Sequence, residues 1–241
     1  MISAVGVAIP ARDEAELIGP CLRHLRAALA ELPARIERAV CVVADRCADD
    51  TARLARTEFA GWRGARIHLN SRPLCLGEVR DLAFRQLGAA LAGHDPAHTL
   101  LLSSDADTTV ELDWATAHLR LAERGWHAAA GLAELAQPLP SSVAARYAAV
   151  RARSHGPHGH GNVYGANLAV RADVYAAVGG FAPLVTGEDQ DLWRRLVAAG
   201  FRAVYATEPV VRTSARHDGR AEGGVAALLS RLHERDLPAA S

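Results

Sequence analysis

The sequence predicts a single α/β domain in which helices flank a mostly parallel central sheet. Short apolar segments alternate with amphipathic segments along the first half of the chain, and each apolar segment ends in polar turn residues. This alternation is typical of parallel strands connected by helices. The 241 residues, 50% of them hydrophobic, suffice for one well-buried domain. We therefore expect one domain over residues 1–241, with a first half to about residue 107, a second half over 108–220 and a helical tail over 221–241.

In the first half, periodicity separates the strands from the helices. Apolar residues recur at spacings of three and four along residues 17–32, which gives a helix one apolar face. Pro20 fits this helix only near its first turn, because proline lacks the amide hydrogen that later turns need. The predicted strands are 4–10, 39–45, 66–70 and 99–104, and the predicted helices are 16–32, 50–59 and 76–91.

The second half has a looser pattern, interrupted by a segment rich in glycine and histidine, residues 154–162. We interpret its closely spaced histidines, His155, His158 and His160, as exposed to solvent or in contact with substrate rather than as metal ligands. The predicted helices are 111–124, 141–153, 188–199 and 225–235, and the predicted strands are 128–135, a segment ending at Val170, and 201–205.

Composition excludes some classes of function. Lys and Arg together number 27, as do Asp and Glu, so no overall positive field is available to attract nucleic acid. No apolar stretch approaches the roughly 18 to 20 residues needed to cross a bilayer. The first apolar segment lacks a preceding basic region and ends at Pro10, which indicates a strand rather than a signal peptide. The four cysteines lack C-x-x-C spacing and are interpreted as reduced, mainly core residues. We expect a cytoplasmic protein.

An acidic pair follows the predicted strand 99–104. On an extended chain Asp105 and Asp107, at positions i and i+2, point the same way and can face one cation. Carboxylate oxygens are hard ligands that suit Mg²⁺ or Mn²⁺, which would neutralise a diphosphate. Taken alone, an Asp-x-Asp sequence is equally typical of a solvated turn.

Other polar residues follow the predicted strands in the same way. Residues 10–14 follow the first strand, and Asp45 ends the second. Ligands of open α/β sheets bind beyond the carboxyl ends of the strands, so these groups and the acidic pair are expected to meet in one crevice. Glu188 and Asp189 stand ahead of a predicted helix, where the helix dipole alone would also favour anions.

Six segments in order resemble glycosyltransferase family 2, a family of nucleotide-sugar-dependent enzymes with one GT-A type, Rossmann-like domain. The similarity extends over about residues 4–220. The segments are the opening strand and loop 7–14, the second strand end 44–51, the acidic motif 104–107, and the second-half motifs 165–171, 179–181 and 187–196.

The resemblance implies a donor site and a metal site. The first half would hold a UDP or GDP sugar, and the second half would hold an unknown hydroxyl acceptor. Asp105 and Asp107 would bind the metal, Mn²⁺ or Mg²⁺, and a late histidine, His217, is either a third ligand or an ordinary loop residue. Family members often carry a lysine after the third strand, where this chain offers Arg72 or Arg80 for the phosphates. The implied donor-binding residues are Pro10, Ala11, Arg12, Glu14, Asp45, Arg80, Asp105, Ala106 and Asp107.

For catalysis, the resemblance implies that Asp189 is the general base, with Glu188 as a neighbour or as a group that orients the acceptor. A carboxylate beside a like charge has a raised pKa, which suits proton abstraction near neutral pH. The family generally transfers sugars with inversion. Polymerising members carry a Gln-x-x-Arg-Trp motif after the base, and this chain lacks it, so transfer of a single sugar is favoured.

Two other functions stay open. A binding module could keep the nucleotide crevice without turnover, although the retained carboxylates argue against this. A sugar nucleotidyltransferase would need a glycine-rich, basic loop after the first strand, whereas residues 11–14 are acidic and lack glycine. The small polar residues of 154–162 suggest a small or soluble acceptor.

Overall fold

The computed structural model describes residues 1–153, 156, 159–215 and 225–234, and it confirms the predicted α/β fold. The described elements form one eight-stranded sheet with helices on both faces. The strands are β1 (Ala4–Ala11), β2 (Glu37–Asp45), β3 (Ala65–Asn70), β4 (Thr99–Ser103), β5 (Thr108–Val110), β6 (Ala128–Leu135), β7 (Leu168–Arg171) and β8 (Ala203–Thr213). The helices are α1 (Ile18–Ala30), α2 (Thr51–Glu58), α3 (Leu76–Ala90), α4 (Trp114–Glu123), α5 (Ser141–Arg153), α6 (Ala172–Ala177), α7 (Glu188–Ala198) and α8 (Val225–Glu234).

The strand order is β3-β2-β1-β4-β7-β6-β8-β5. The first four strands are parallel, β6 and β8 are also parallel, and the pairings of β7 with its neighbours and of β5 with β8 are antiparallel. The sheet is therefore mostly parallel, as predicted. The carboxyl ends of β1, β2 and β4 lie side by side at one edge, and β7 joins the second half directly to β4.

Two apolar clusters cover the two faces of the sheet. Alternate residues of β1 point to opposite faces, with Val7 in one cluster and Ala8 in the other. Helices α1, α2 and α4 pack in the first cluster, and α3, α6 and α7 pack in the second. Burial of the central strands on both faces explains why their sequences read as continuous apolar runs.

A third, smaller apolar cluster lies outside the sheet, between α5 and α8. Its buried members are Val143, Tyr147, Leu229 and Leu232. The Arg146 Nη1 atom also donates a hydrogen bond of 2.8 Å to the Leu232 carbonyl. The tail helix is therefore packed against the second half of the domain.

Several element boundaries differ from the sequence prediction. The strand predicted at 201–205 continues to Thr213, and the helix predicted from residue 111 begins at Trp114, because Thr108–Val110 forms a strand with β8. Helix α6 was not predicted. Strands of three residues carry no readable periodicity, since they depend on pairing with a distant partner.

The interpretation of the histidine segment is wrong for His160. This residue is buried, and its Nε2 atom lies 3.1 Å from the Ala130 carbonyl oxygen and 3.2 Å from that of Ala206. It joins β6 to β8 and is a structural residue. His155 and His158 lie outside the described residues. Within the described part of the chain, no helix is long and apolar enough to cross a membrane.

Candidate active site

A cleft of about 790 Å³ opens at the carboxyl ends of β1, β2 and β4. The loop after β1, the turn after β4 and the start of α7 form its walls, so both halves of the domain contribute. The predicted site residues that line it are Pro10, Ala11, Arg12, Glu14, Asp45, Arg80, Asp105, Ala106, Asp107, Glu188 and Asp189. His217 lies outside the described residues.

The loops after β1 and β2 hold each other in place. Asp13 Oδ1 accepts a 2.6 Å hydrogen bond from the Ala48 amide, and Asp49 Oδ2 accepts one of 2.9 Å from the Ala15 amide. Asp13 has φ near +50°, in the left-handed region that non-glycine residues rarely adopt. The carboxylates of Asp13 and Asp49 therefore fix this side of the cleft.

Asp45 ends β2 as a buried carboxylate. Its Oδ1 atom accepts a 2.7 Å hydrogen bond from Asn70 Nδ2, and Asn70 is its register partner at the end of the adjacent strand β3. This bond orients Asp45 at the wall of the cleft. Sequence reasoning missed Asn70, although its place at a strand end on the same sheet edge was a usable signal.

The acidic pair lies in a turn between β4 and β5, which corrects the expectation of an extended strand. The Thr108 amide closes the turn with a 3.1 Å hydrogen bond to the Asp105 carbonyl. Thr108 Oγ1 lies 3.3 Å from Asp107 Oδ1. Both aspartates nevertheless face the cleft, so the turn brings the two carboxylates to one side.

Arg80, rather than Arg72, lies in the cleft. Only 3% of Arg80 is exposed, and its guanidinium bridges two carboxylates: Nη2 lies 2.6 Å from Asp105 Oδ1 and Nε lies 2.9 Å from Glu188 Oε1. Its Nη1 atom donates to the Ser103 hydroxyl at 2.8 Å. A buried guanidinium with carboxylates on two sides links α3, the turn after β4 and the start of α7.

Asp189 is the second residue of α7, two positions after Gly187, where the backbone φ of 76° favours glycine. Its Oδ2 atom accepts a 2.7 Å hydrogen bond from the Gly165 amide, and its Oδ1 atom accepts one of 2.7 Å from the Gln190 amide. Burial and the neighbouring charge of Glu188 raise the pKa of Asp189 to about 6, against the opposing effects of Arg80 and the two amides.

Gly165 belongs to the predicted motif 165–171, and its lack of a side chain leaves room for the Arg80 guanidinium. A Cβ atom at this position would lie 2.5 Å from Arg80 Nη2. The Gly165 peptide donates to Asp189 and its carbonyl accepts from Arg80 Nη1 at 3.2 Å. This backbone segment therefore links the arginine to the aspartate.

The end of the cleft beyond Asp189 was not predicted from the sequence. Its lining comes from α5, from the segment before β7 and from α8, and it is largely apolar: Tyr147, Val150, Arg151, Val163, Tyr164, Leu228 and Arg231. The i, i+3 and i+4 spacing of the three α5 residues marks one face of that helix, and this was the available signal.

Comparison with solved structures identifies the fold as GT-A. The mannosyltransferase PcManGT from Pyrobaculum calidifontis, in complex with GDP-Man and Mn²⁺, is 19% identical with a TM-score of 0.65, over 89% of this chain and 58% of that chain. TarS 1–349 from S. aureus with UDP-GlcNAc is 14% identical with a TM-score of 0.66, over 99% and 68%. GalNAc-T7 with UDP, GalNAc and Mn²⁺ is 14% identical with a TM-score of 0.65, over 97% and 48%.

This chain therefore spans about half to two thirds of the length of those proteins. No curated protein matches it. The family described as "Glycosyltransferase like family 2" matches residues 3–233, which is nearly the whole chain and confirms the resemblance of the ordered motifs. The chain belongs to glycosyltransferase-like family 2.

Proposed function

We propose that this chain transfers one sugar from a nucleoside diphosphate sugar to an acceptor hydroxyl, with Mn²⁺ or Mg²⁺ and with inversion at the anomeric carbon. The observation that carries the proposal is the convergence in one cleft of Asp45, the pair Asp105 and Asp107, and Asp189, whose pKa is raised to about 6. A metal-binding acid pair beside a carboxylate poised for proton transfer suits displacement of a diphosphate.

The donor nucleotide binds at the end of the cleft nearest Asp45. The Asp45 carboxylate, held by Asn70, accepts N–H groups of a base, and both uracil and guanine offer such groups. Pro10, Ala11, Arg12 and Glu14 line the same end. Structures with the same fold in complex with GDP-Man and UDP-GlcNAc support a donor of this class.

The residues of the turn after β4 fit a divalent cation. Asp105 and Asp107 offer carboxylate oxygens to the cleft, which are the ligands that Mn²⁺ and Mg²⁺ prefer. The Asp105 Oδ1 atom also forms an ion pair with Arg80, and this pair orients the Asp105 carboxylate. When bound, the cation supplies positive charge that stabilises the diphosphate leaving group. His217 stays either a third ligand or an ordinary loop residue, and Arg80 stays a predicted phosphate contact.

Asp189 removes the proton from the acceptor hydroxyl. The acceptor oxygen forms its bond to the anomeric carbon while the bond to the diphosphate breaks, so a single displacement inverts the configuration. The Gly165 and Gln190 amides orient the carboxylate. Glu188 is a positioning residue that takes no part in the proton transfer itself. Its charge raises the pKa of Asp189, and its side chain binds Arg80.

A thermal-shift panel of UDP, GDP, dTDP and CDP, each with Mn²⁺, Mg²⁺ or EDTA, tests the donor site without an acceptor. A ligand that binds the native state raises the melting temperature by mass action. We expect one nucleotide to stabilise the protein in the presence of metal and to lose this effect in EDTA. No shift with any nucleotide would contradict the proposal.

Two further assays separate the other functions. Release of pyrophosphate from a nucleoside triphosphate and a sugar phosphate would identify a nucleotidyltransferase. Tight, metal-dependent binding of a nucleotide sugar with neither transfer nor slow donor hydrolysis would identify a binding module.

A further inference from the structure

The cleft changes character beyond Asp189, from acidic to apolar with positive charge. From this change we infer that the acceptor is a small amphipathic acid, in which the hydroxyl-bearing part carries an apolar group and a carboxylate or phosphate. The inference rests on the proposed function, because it assigns the acceptor end of the same cleft.

The apolar wall is built into the fold. One face of α5 presents Tyr147 and Val150 to the cleft, and the segment before β7 adds Tyr164. The tail helix adds Leu228, and it is seated on α5 by the cluster around Leu229. Rings and branched aliphatic side chains favour an apolar partner over a fully hydroxylated one.

Two further apolar side chains line the cleft. Leu74 lies in the loop after β3, and Val185 in the loop before α7, and both line the cleft. Val185 is 59% exposed. A bound acceptor with an apolar group would add to the burial of the exposed Val185 side chain.

Two arginines supply the charge at this end. Arg151 on α5 lies with its guanidinium carbon 5.9 Å from the centre of the Tyr147 ring and hydrogen bonds to Tyr164. Arg231 on α8 is exposed at the rim. An acidic group on the acceptor is attracted to these arginines and repelled by the carboxylates at the centre of the cleft. This fixes the direction in which the acceptor enters, with its hydroxyl toward Asp189.

The size of the cleft favours a dissolved small molecule. Its volume of about 790 Å³ lies within the range of roughly 300–1,000 Å³ that is usual for small ligands. The inference agrees with the expectation of a small or soluble acceptor, but it rests on the cleft residues of α5, α8 and the segment before β7 rather than on residues 154–162.

A pair of fluorescent probes tests the site. Anilinonaphthalene sulfonate has an aromatic body and an acidic group, and N-phenylnaphthylamine has nearly the same body without the acid. We expect the wild-type protein to bind the sulfonate about tenfold more tightly than the amine, a difference within the reach of one favourable charge contact. Equal affinities would overturn the assignment of an acidic group, and no binding of either probe would overturn the apolar site.

Two variants and a matched control locate the probe. Val150→Asp should weaken both probes about tenfold or more, and Arg231→Glu should weaken only the sulfonate. Val197→Asp changes a valine that is 54% exposed on α7 and does not line the cleft, and it should change neither affinity. Sulfonate binding that is unchanged in both Val150→Asp and Arg231→Glu would overturn the inference.

Nucleotide affinity separates this inference from the proposed function. All three variants should keep the metal-dependent nucleotide shift of the wild-type protein, because none of them touches the donor end. A wild-type nucleotide shift together with failed probe binding would refute the acceptor class alone. The protein could also sediment with phosphatidylglycerol vesicles. If it does, and if Arg231→Glu abolishes this sedimentation, the acceptor is a membrane lipid and the assignment to a dissolved acceptor is overturned.

Discussion

At the scale of single residues, Asp189 is the group on which the proposed chemistry depends most. Asp189→Asn keeps the size of the side chain and an oxygen for the Gly165 amide but cannot take a proton. Loss of a general base costs roughly a hundredfold to ten-thousandfold in rate. We expect kcat to fall within this range while the Kd of the donor nucleotide stays the same. Equal losses of binding and transfer would show that Asp189 is structural.

The raised pKa of Asp189 predicts the pH dependence of transfer. The base acts only when deprotonated, so kcat should rise with pH up to about 6 and then level off. The same shift makes the folded protein bind this proton more tightly than the unfolded chain. The stabilisation from this group is therefore present below pH 3.8 and is lost as the pH rises through about 6. A kcat profile that is flat between about pH 5 and 8 would contradict the assignment.

Asp107 is the residue whose replacement tests the proposed metal site. Asp107→Ala should abolish the metal-dependent part of nucleotide binding, because one of the two proposed metal ligands is lost. The fold should persist, since the residue lies in a turn at the cleft. Asp113→Ala, an exposed aspartate before α4, is the control. Unchanged affinity for the stabilising nucleotide in Mn²⁺ would refute the assignment of Asp107.

At the scale of elements, Arg80 links α3 to the start of α7. Arg80→Met would leave Glu188, which is 3% exposed, buried without a cation. Removal of one partner of a buried pair costs about 3–5 kcal/mol. We expect a loss of this size in the free energy of unfolding, measured by denaturant titration, and partial recovery when Glu188→Gln is added.

The control for Arg80→Met is Arg85→Met on the same helix. Arg85 pairs with Asp81 at the surface, and exposed pairs contribute at most about 1 kcal/mol. The role of Arg80 as a link between elements would be refuted if the two single variants lost similar stability.

The side chain of Asn167 holds the segment before β7 in position. Asn167 is fully buried and all of its hydrogen-bonding groups are used. Its Oδ1 atom lies 2.8 Å from Trp114 Nε1 and 2.9 Å from His118 Nε2, and its Nδ2 atom donates to the carbonyls of Leu132 and Pro209. Asn167 thus ties α4, β6 and β8 to the segment that carries Gly165, which explains how a loop holds an amide against the proposed base.

At the scale of the whole molecule, the cluster between α5 and α8 is separate from the two clusters on the sheet. Regions with fewer buried contacts open independently of the core. Leu229→Ala, at a fully buried position, should therefore speed hydrogen exchange of the amides in α5 while those of β1, β2 and β4 keep their protection.

Leu112→Ala is the control for this experiment, because Leu112 is 57% exposed and contributes little packing. In the Leu229→Ala variant, hydrogen exchange could instead increase equally in α5 and in the central strands. That result would show that the two regions unfold as one cooperative unit and would refute independent opening of the α5–α8 cluster.

Much of the fold was readable from the sequence. Strand β6 and helix α5 begin and end at the residues predicted for them. The convergence of Asp45 with Asp105 and Asp107 followed from a general property of parallel sheets, that strand ends meet at one edge. The role of Asp189, at the start of a helix, was predicted only from the resemblance to the family. What could not be read were contacts between distant segments, such as β5 with β8 and His160 with the carbonyls of β6 and β8.

Local periodicity and ordered motifs were enough to predict the α/β class, the family and the carboxylates that line the cleft. Three features depend on the packed fold: Arg80 faces inward between Asp105 and Glu188, burial is the main cause of the raised pKa of Asp189, and α5 and α8 form an apolar wall. Burial and charge at a site are sums over residues far apart in the chain, and only the packed fold brings those residues within reach of one another.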